Sequence, residues 1–368
     1  MKLPNIQILR ACAAMMIVVY HCGIETARLS AVSGGSRLFD EGPWGAGVPI
    51  FFAISGFIMV VTSARAFGSL PAAIDFMRRR LIRIVPLYWL VTTGALGVAL
   101  FAPHLSKAPP GDYLYIAASY LFWPYMRLTG DIRPLATPGW TLNLEMLFYI
   151  VFAASLLFRR RFGLALLFGS LSLLVAARVG GLLSGDTLNF WGDPIILGFL
   201  LGAAVGIAYI NGYRLSGLSA VLMMTIGLAV IFQSWAPTGA EDALGRRLAD
   251  AAPATLILIA LALGPQIDDS RKLWWPALLI GDASYSLYLI QEFLLRLMSL
   301  GWHKALPATM SLSLFIPIGI AAAVTVAITM YWCFEKPVTK WLNGMSKRQA
   351  RPVPERISAP LVGETAAV

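Results

Sequence analysis

Long apolar runs constrain the fold of this chain more than any other feature of its sequence. Residues 45–63 read GAGVPIFFAISGFIMVVTS and contain no charged residue. Runs of this length cross bilayers as α-helices, because a helix satisfies its backbone hydrogen bonds internally, whereas β-barrel strands show short alternating segments. Only 13% of the 368 residues are charged, against ~25% in soluble domains, which is too few to cover a water-facing surface. The sequence therefore predicts an all-α, polytopic transmembrane helical bundle.

About ten runs have the length and composition expected of membrane-crossing helices. The predicted crossings are residues 6–24, 45–63, 84–102, 140–158, 163–183, 194–210, 217–235, 250–265, 277–298 and 309–333. Residues 112–127 are apolar and aromatic but lead into polar, proline-containing sequence, which favours an interfacial or re-entrant helix. We therefore expect one transmembrane domain over residues 1–342. The polar residues 343–368 are expected to form a disordered cytoplasmic tail.

The distribution of lysine and arginine predicts how the bundle is oriented. With the N-terminus in the cytoplasm, 18 of the 29 basic residues fall in cytoplasmic segments and 8 in segments on the other side. This bias agrees with the positive-inside rule and places both termini in the cytoplasm. It also accounts for the net charge of +10, so we expect contacts with membrane lipid and no binding of nucleic acid.

The first predicted crossing contains two ionisable residues, Arg10 and His21. Such residues cost ~2.5–3.5 kcal/mol each at the centre of a membrane helix, so they mark candidate functional sites. Eleven residues at 100° each place both side chains on nearly the same face, ~16 Å apart along the axis. An arginine suits a phosphate, and a histidine suits a proton acceptor near neutral pH. Alternatively, Arg10 snorkels to the interface and His21 makes a hydrogen bond between helices.

Four arginines, Arg78, Arg79, Arg80 and Arg83, lie just before the apolar part of the third crossing. The i, i+3 and i, i+4 spacings allow pairs of them to converge on one anion. The alternative is a topogenic signal whose side chains contact lipid phosphates.

Small residues interrupt the second crossing, where Ser55 and Gly56 follow Gly47 and Pro49. Such residues permit close packing of helices. They would also allow the backbone to approach a ligand, and the sequence leaves both interpretations open.

The fourth crossing begins with PGWTLNLEMLFYIVF and carries Trp140, Asn143, Glu145 and Tyr149. Glu145 and Tyr149 share a face at i, i+4, whereas Asn143 lies on another face. In the predicted orientation Glu145 lies in the same half of the bilayer as His21, and a buried carboxylate needs a partner. We therefore predict that Glu145 contacts and orients His21. The alternative places Glu145 near the headgroups at the helix start.

Two further segments carry polar residues. Ser284, Tyr288 and Gln291 recur at roughly helical spacing in the ninth crossing, where they either line a substrate pocket or bond neighbouring helices. After the last crossing, Glu335-Lys336-Pro337 predicts that the helix ends at the inner face. The three cysteines lack metal-ligand spacing, and we expect no metal site.

Taken in order, these motifs resemble those of the acyltransferase-3 family of membrane-bound acyltransferases. The matching features are Arg10 followed after ten residues by His21, FFAISGFI, RRRLIRIVPLYW, PGWTLNLEMLFY, SYSLYLI and EKP. They cover roughly residues 5 to 342. One departure is Gln291, where many relatives have a histidine after the SYSLYLI segment.

The resemblance implies an activity. Family members generally transfer an acyl group, usually acetyl from cytoplasmic acetyl-CoA, to a hydroxyl of a sugar or related acceptor. It implies that Arg10 and His21 form the catalytic signature and that Ser55, Gly56, Phe57 and Glu145 lie on family motifs. The layout without an appended soluble domain is most similar to exopolysaccharide O-acetyltransferases of the bacterial inner membrane. No permanently bound cofactor is expected, and acetyl-CoA would act as the donor.

The resemblance leads to a mechanistic hypothesis. Arg80 and Arg83, with Arg78 or Arg10, would hold the phosphates of CoA, and His21, oriented by Glu145, would deprotonate the acceptor hydroxyl. Ser55, Asn143 or Tyr149 would donate to the oxyanion. The remaining substrate-pocket candidates are Trp140, Ser284, Tyr288 and Gln291.

Other interpretations of these motifs remain open. In one variant His21 itself carries the acetyl group. A transporter or flippase for a lipid-linked glycan would also use intramembrane Arg, His and Glu, but would not consume acetyl-CoA. A structural or sensory membrane protein would tolerate alanine at His21 and Glu145.

Overall fold

The computed structural model describes residues 3–33, 42–102, 112–127, 130–233, 243–268, 272–305 and 312–349, and every regular element in them is helical. Fourteen α-helices follow one another along these segments. They are α1 Pro4–Ser33, α2 Gly47–Thr62, α3 Leu70–Phe101, α4 Tyr113–Tyr120, α5 Gly139–Ser155, α6 Arg160–Val179, α7 Asp186–Trp191, α8 Leu197–Ile210, α9 Gly217–Gln233, α10 Ala243–Leu263, α11 Trp275–Asp282, α12 Ser284–Ala305, α13 Leu312–Met330 and α14 Lys336–Gln349.

The helices confirm the predicted all-α, multi-pass membrane architecture. Within the described residues, six helical stretches are long and apolar enough to cross a bilayer. They are Pro4–Ala31, Pro43–Thr62, Leu70–Phe101, Arg160–Val179, Asp186–Ile210 and Leu314–Met345. Three of the other four predicted crossings each fall on one helix, and the fourth, 277–298, falls on α11 and α12. These helices are shorter or more charged. The number of ten crossings stays a prediction.

Helix α1 is the centre of the bundle, where it packs against α2, α10, α11, α12 and α13. Helix α2 also packs along α8 at very short range. A Cβ atom on Gly56 would lie 1.9 Å from the Phe199 carbonyl oxygen, and one on Gly202 would lie 1.9 Å from the Ala53 carbonyl oxygen. Gly56 therefore serves close packing of helices, and the predicted approach of its backbone to a ligand is not needed to explain it.

The chain around residues 112–127 confirms that this stretch is not a full crossing. Helix α4 has eight residues, which span ~12 Å against a hydrocarbon core of ~30 Å. Asp112 caps its N-terminus by accepting a hydrogen bond from the Tyr115 amide.

Two predicted helix boundaries are wrong. The crossing predicted over 277–298 is broken at Ala283, where α11 ends and α12 begins. Gly281 and Asp282 precede the break, and both residue types favour caps and turns over helix interiors. A Cβ on Gly281 would lie 2.2 Å from the Gln7 carbonyl oxygen, so α11 crosses α1 there with no room for a side chain.

The second wrong boundary is the predicted terminator at Glu335-Lys336-Pro337. The helix continues through a π-helical turn, Tyr331–Glu335, into α14. The ring of Pro337 would clash with the carbonyl four residues earlier in a regular helix, and the wider π turn accommodates it. Helix α14 ends at Gln349, so the first seven residues of the predicted disordered tail are helical. Residues 350–368 lie outside the described residues.

Candidate active site

His21 lies on α1 with its imidazole between α1 and α12. Its Nδ1 atom is 2.9 Å from the Ile17 carbonyl oxygen on the preceding turn and 3.1 Å from the side-chain nitrogen of Gln291. Its Nε2 atom is 3.6 Å from a carboxylate oxygen of Glu292. The His21 and Glu292 side chains are 19% and 32% exposed, so the ring is held on one edge and accessible on the other.

The accessible edge faces a cavity of about 720 Å³, which we call the His21 cavity. Trp140 and Tyr288, two predicted pocket residues, line it. Charged side chains of both signs also line it, namely Glu25, Arg28, Arg127, Asp131, Arg133, Arg247, Asp250, Glu292 and Arg296. A cavity of this size, with apolar walls and a few convergent polar groups, is typical of a site for a small molecule or part of a larger one.

Some of the cavity charges are already compensated. Glu25 is buried and pairs with Arg28 one turn along α1 and with Arg296 on α12, 3.4 Å away. On the opposite wall, Arg127 lies over the Tyr115 ring, with 4.9 Å from its guanidinium carbon to the ring centroid. Burial raises the pKa of Tyr115 to about 12. Its hydroxyl therefore stays protonated and donates to the Arg133 carbonyl oxygen, 3.1 Å away.

Arg10 lies eleven residues before His21 on α1 and occupies a second polar region. Its guanidinium donates to the Ser284 hydroxyl at 2.8 Å and to the Gln7 side-chain oxygen at 3.0 Å. The Gln7 amide in turn donates to Asp282 at the end of α11. The break between α11 and α12 thus brings Asp282 and Ser284 to the first turns of α1.

Arg10 interacts electrostatically with a second arginine, Arg83, and with three carboxylates. The carboxylates belong to Asp282 of α11, Glu145 of α5 and Glu335. Glu335, in the π-helical turn, accepts a hydrogen bond from Ser286 at 2.6 Å. We call this region the Arg10 cluster, and its charged and hydroxyl members are Arg10, Arg80, Arg83, Glu145, Asp282, Ser284, Ser286 and Glu335.

Glu145 belongs to the Arg10 cluster and not to the His21 cavity. Its carboxylate accepts hydrogen bonds from Ser55, at 3.1 Å, and from Tyr149. The predicted contact between Glu145 and His21 is wrong, because the carboxylate within 4 Å of the imidazole is that of Glu292. Glu145 lies six residues after the start of α5, where it interacts electrostatically with Arg10.

Tyr288 connects the two regions. Its hydroxyl lies 3.0 Å from the Pro138 carbonyl oxygen and 2.6 Å from the Thr141 hydroxyl. It lines the His21 cavity and interacts electrostatically with both Glu292 and Glu145.

The predicted donor-binding arginines separate into two groups. Arg80 lies over two rings, with 5.4 Å to the Phe76 centroid and 5.9 Å to the Tyr149 centroid, and its Nε atom is buried without a hydrogen-bond partner among the described residues. Arg10, Arg80 and Arg83 thus lie together. Arg78 instead pairs with Asp75 at 2.6 Å on its own helix.

The predicted pocket residues also separate. Trp140 and Tyr288 line the His21 cavity, and Gln291 contacts the His21 ring from the buried side. Ser55, Tyr149 and Ser284 instead bond members of the Arg10 cluster. Asn143 is 1% exposed, and neither of its side-chain polar atoms has a hydrogen-bond partner in the described part of the chain.

Sequence reasoning missed four acidic or basic residues of these regions, Glu25, Glu292, Arg296 and Glu335, as site candidates. The signal was present, because all four are ionisable residues within or beside predicted crossings. Glu292 and Arg296 are also spaced i, i+4 on the helix that carries Gln291.

Comparison with known proteins gives a consistent family match. Residues 3–332 match the acyltransferase-3 model, described as an acyltransferase domain. Exopolysaccharide production protein ExoZ of Rhizobium meliloti (strain 1021) is 33% identical over 314 residues, which are 82% of this chain and 91% of ExoZ. No solved structure matches the chain.

Two further relatives match over shorter shares of their length. Acyltransferase MdmB of Streptomyces mycarofaciens is 30% identical over 158 residues, 41% of this chain and 38% of MdmB. O-acetyltransferase OatA of Staphylococcus aureus (strain NCTC 8325 / PS 47) is 26% identical over 313 residues, 78% of this chain and 49% of OatA.

Proposed function

The chain belongs to the acyltransferase-3 family and is an acyltransferase, and we propose that it moves an acetyl group from cytoplasmic acetyl-CoA to a sugar hydroxyl of a surface or exported polysaccharide. It would do so in the bacterial inner membrane, with about ten crossings and both termini in the cytoplasm. The names of ExoZ, an exopolysaccharide production protein, and OatA, an O-acetyltransferase, support the choice of acceptor and group.

One observation carries the proposal. Helix α1 presents the Arg10 cluster, which contains three arginines, and an accessible imidazole at His21 on nearly the same face, ~16 Å apart along the axis. A donor with phosphates at one end and a thioester at the other needs an anion-binding site for the phosphates and, some distance away on the same face, a reactive group for the thioester.

The donor would bind by its phosphates to Arg10, Arg80 and Arg83. Arginine presents several N–H donors in a planar fork that matches phosphate oxygens. The unpartnered Nε atom of Arg80 leaves a donor available for such a ligand. Arg78 shares the Asp75 carboxylate with Arg79, and its buried Nη1 atom has no hydrogen-bond partner among the described residues, so it would be a further ligand of the phosphates.

Transfer would occur where His21 faces its cavity. The acceptor hydroxyl oxygen forms a bond to the acetyl carbonyl carbon, the carbon–sulfur bond breaks, and CoA leaves as the thiolate. His21 accepts the hydroxyl proton and passes it to the thiolate, so the protein ends unchanged. A variant with acetyl-His21 as an intermediate uses the same geometry.

The three predicted oxyanion donors differ in whether they already take part in hydrogen bonds. Ser55 and Tyr149 both donate to Glu145, so their hydroxyl hydrogens are already engaged. The Asn143 amide is buried without a hydrogen-bond partner among the described residues, but it does not line the His21 cavity, so it would act as the donor only if substrate entry exposes it.

The test is transfer of radiolabel from acetyl-CoA to endogenous glycan in membranes that contain the protein, compared with membranes that lack it. We expect label in the glycan fraction and its loss by a factor of ~10²–10⁴ in His21→Ala at matched protein level. The control is Thr325→Ala, whose hydroxyl bonds the Ala321 carbonyl of its own helix. Retained transfer in His21→Ala would remove the histidine from the mechanism, and glycan movement without acetyl-CoA consumption would indicate a transporter or flippase.

A further inference from the structure

The His21 ring has two contacts at one nitrogen that cannot both be satisfied in the same state. The Ile17 carbonyl oxygen, 2.9 Å from Nδ1, can only accept, so it requires a proton on Nδ1. The Gln291 side-chain nitrogen, 3.1 Å from the same atom, can only donate, so it requires a bare Nδ1. A neutral imidazole has one donor and one acceptor nitrogen, and its neighbours select which is which.

Gln291 is suited to switch between these states. It is 1% exposed, and its side-chain oxygen is buried without a hydrogen-bond partner in the described residues. Rotation of the amide by a half-turn places its oxygen toward Nδ1, where it accepts from Nδ1–H together with Ile17. The amide can therefore hold the ring at Nδ1 in either tautomer.

Glu292 faces the other nitrogen. Its carboxylate lies 3.6 Å from Nε2, and both side chains line the His21 cavity. Glu25, one turn along α1, contrasts with it because Arg28 and Arg296 already neutralise that carboxylate. In the part of the chain that the structure describes, the cationic group within 4 Å of Glu292 is His21.

We propose that Gln291 and Glu292 are positioning residues for His21. Gln291 and the Ile17 carbonyl fix the ring through Nδ1 so that Nε2 faces the cavity, and Glu292 stabilises the imidazolium that forms when Nε2 takes the acceptor's proton. This inference rests on the proposed acetyl transfer.

The proton balance follows from the contacts. Before transfer, Nδ1–H donates to the Ile17 carbonyl and to the turned amide of Gln291, and the Nε2 lone pair faces the cavity. The acceptor hydroxyl gives its proton to Nε2 as its oxygen bonds to the acetyl carbon. The resulting imidazolium then has Nδ1–H on Ile17 and Nε2–H beside the Glu292 carboxylate. The proton leaves to the CoA thiolate, and the neutral ring returns.

Other charged side chains of the described residues line the cavity, but Glu292 is the carboxylate among them that lies within 4 Å of Nε2. Glu25, Arg28 and Arg296 face His21 from α1 and α12 as a paired set. The opposite walls carry Arg127, Asp131, Arg133, Arg247 and Asp250.

The experiment measures label transfer to endogenous glycan in membranes over a range of radiolabelled acetyl-CoA concentrations, with rates normalised to protein level. The variants are Glu292→Gln, Glu292→Asp and Gln291→Met, which preserve approximate side-chain size. Asp186→Asn is the matched control, because it also removes one carboxylate, from an exposed residue that does not line the His21 cavity.

We expect Glu292→Gln to lower the maximal rate about tenfold or more, with the KM for acetyl-CoA changed less than about twofold, because the lost interaction exists only once the proton has moved. Glu292→Asp should recover much of the rate, and Gln291→Met should show a smaller fall in the same parameter. Asp186→Asn should change neither parameter.

A double variant separates positioning from structure. Adding Glu292→Gln to His21→Ala should lower the residual rate no further, since Glu292 acts through His21. An unchanged maximal rate in Glu292→Gln, or an equal loss with and without His21, would overturn the inference. If Glu292→Gln does not accumulate, Glu292→Asp and Gln291→Met decide it by the same criteria. Failure of the proposed function is a different result, namely no transfer by the wild type or full transfer by His21→Ala.

Discussion

The Arg10 cluster and the His21 cavity occupy two lengths of the same helix face, yet they are built differently. In the Arg10 cluster most side chains bond one another: Arg10 donates to Ser284 and Gln7, and Glu145 accepts from two hydroxyls. One exception among the described residues is the Nε atom of Arg80, which has no hydrogen-bond partner. At His21 the decisive contact to Glu292 is 3.6 Å long and both side chains are partly exposed.

The difference shows how one membrane helix carries two kinds of site. A polar network among apolar helices is costly unless each group has a partner, so the Arg10 cluster contributes to folding as well as to any anion binding. The polar groups at the His21 cavity can still form hydrogen bonds and ion pairs with a ligand. Substitutions in the first region should therefore change stability, and those in the second should change rate.

The largest expected effect comes from a change that should damage both regions alike. Gly56→Ala places a methyl group 1.9 Å from the Phe199 carbonyl oxygen, which forces α2 and α8 apart and costs about 3 kcal/mol or more. We expect loss of protein from the membrane fraction and a lower Tm in detergent. Gly97→Ala is the control, because nothing lies within 4 Å of its added Cβ. Equal Tm values for the two variants would contradict the packing assignment of Gly56.

The next prediction compares one carboxylate from each region. Glu145→Leu leaves the Ser55 and Tyr149 hydroxyls without their acceptor, and each hydrogen bond to a charged group is worth about 1.5–3 kcal/mol. Glu292→Leu removes a partly exposed carboxylate and should cost under about 0.5 kcal/mol. Thermal unfolding in detergent measures both. A larger loss of stability at Glu292 would reverse the comparison.

Arg10→Lys tests whether the cluster also binds the donor. Lysine keeps the charge but not the planar fork that reaches Ser284 and Gln7. We expect the KM for acetyl-CoA to rise about tenfold, which corresponds to about 1.4 kcal/mol, with a smaller change in maximal rate. The same substitution at Arg296, in the cavity wall, should leave the KM for acetyl-CoA within about twofold. A similar rise in both variants would argue against a donor site at Arg10.

The sequence predicted the membrane bundle and much of the site, because both follow from the cost of polar groups in lipid. Apolar run length identified the helices, and ionisable residues within them identified Arg10, His21 and Glu145. What failed was the pairing of Glu145 with His21. Depth along a helix is estimated from its start, and the break at Ala283, which brings Ser284 to Arg10 and Gln291 to His21, is not visible in the apolar pattern.

The smallest predicted effects come from two tyrosine hydroxyls, one in each region. Tyr149→Phe removes a donor to Glu145 and should cost about 1.5 kcal/mol of stability. Tyr288→Phe removes the hydroxyl that contacts Pro138 and Thr141 at the edge of the His21 cavity, with a similar cost. The two variants should differ in kinetics, because Tyr288 lines the His21 cavity and Tyr149 does not. We expect Tyr288→Phe alone to lower transfer to glycan at matched protein level, by about two- to fivefold. Without its hydroxyl the side chain is no longer anchored to Pro138 and Thr141, so this part of the cavity wall would hold the acceptor less firmly. Equal transfer rates in Tyr149→Phe and Tyr288→Phe would mean that the two regions are less separate than their contacts indicate.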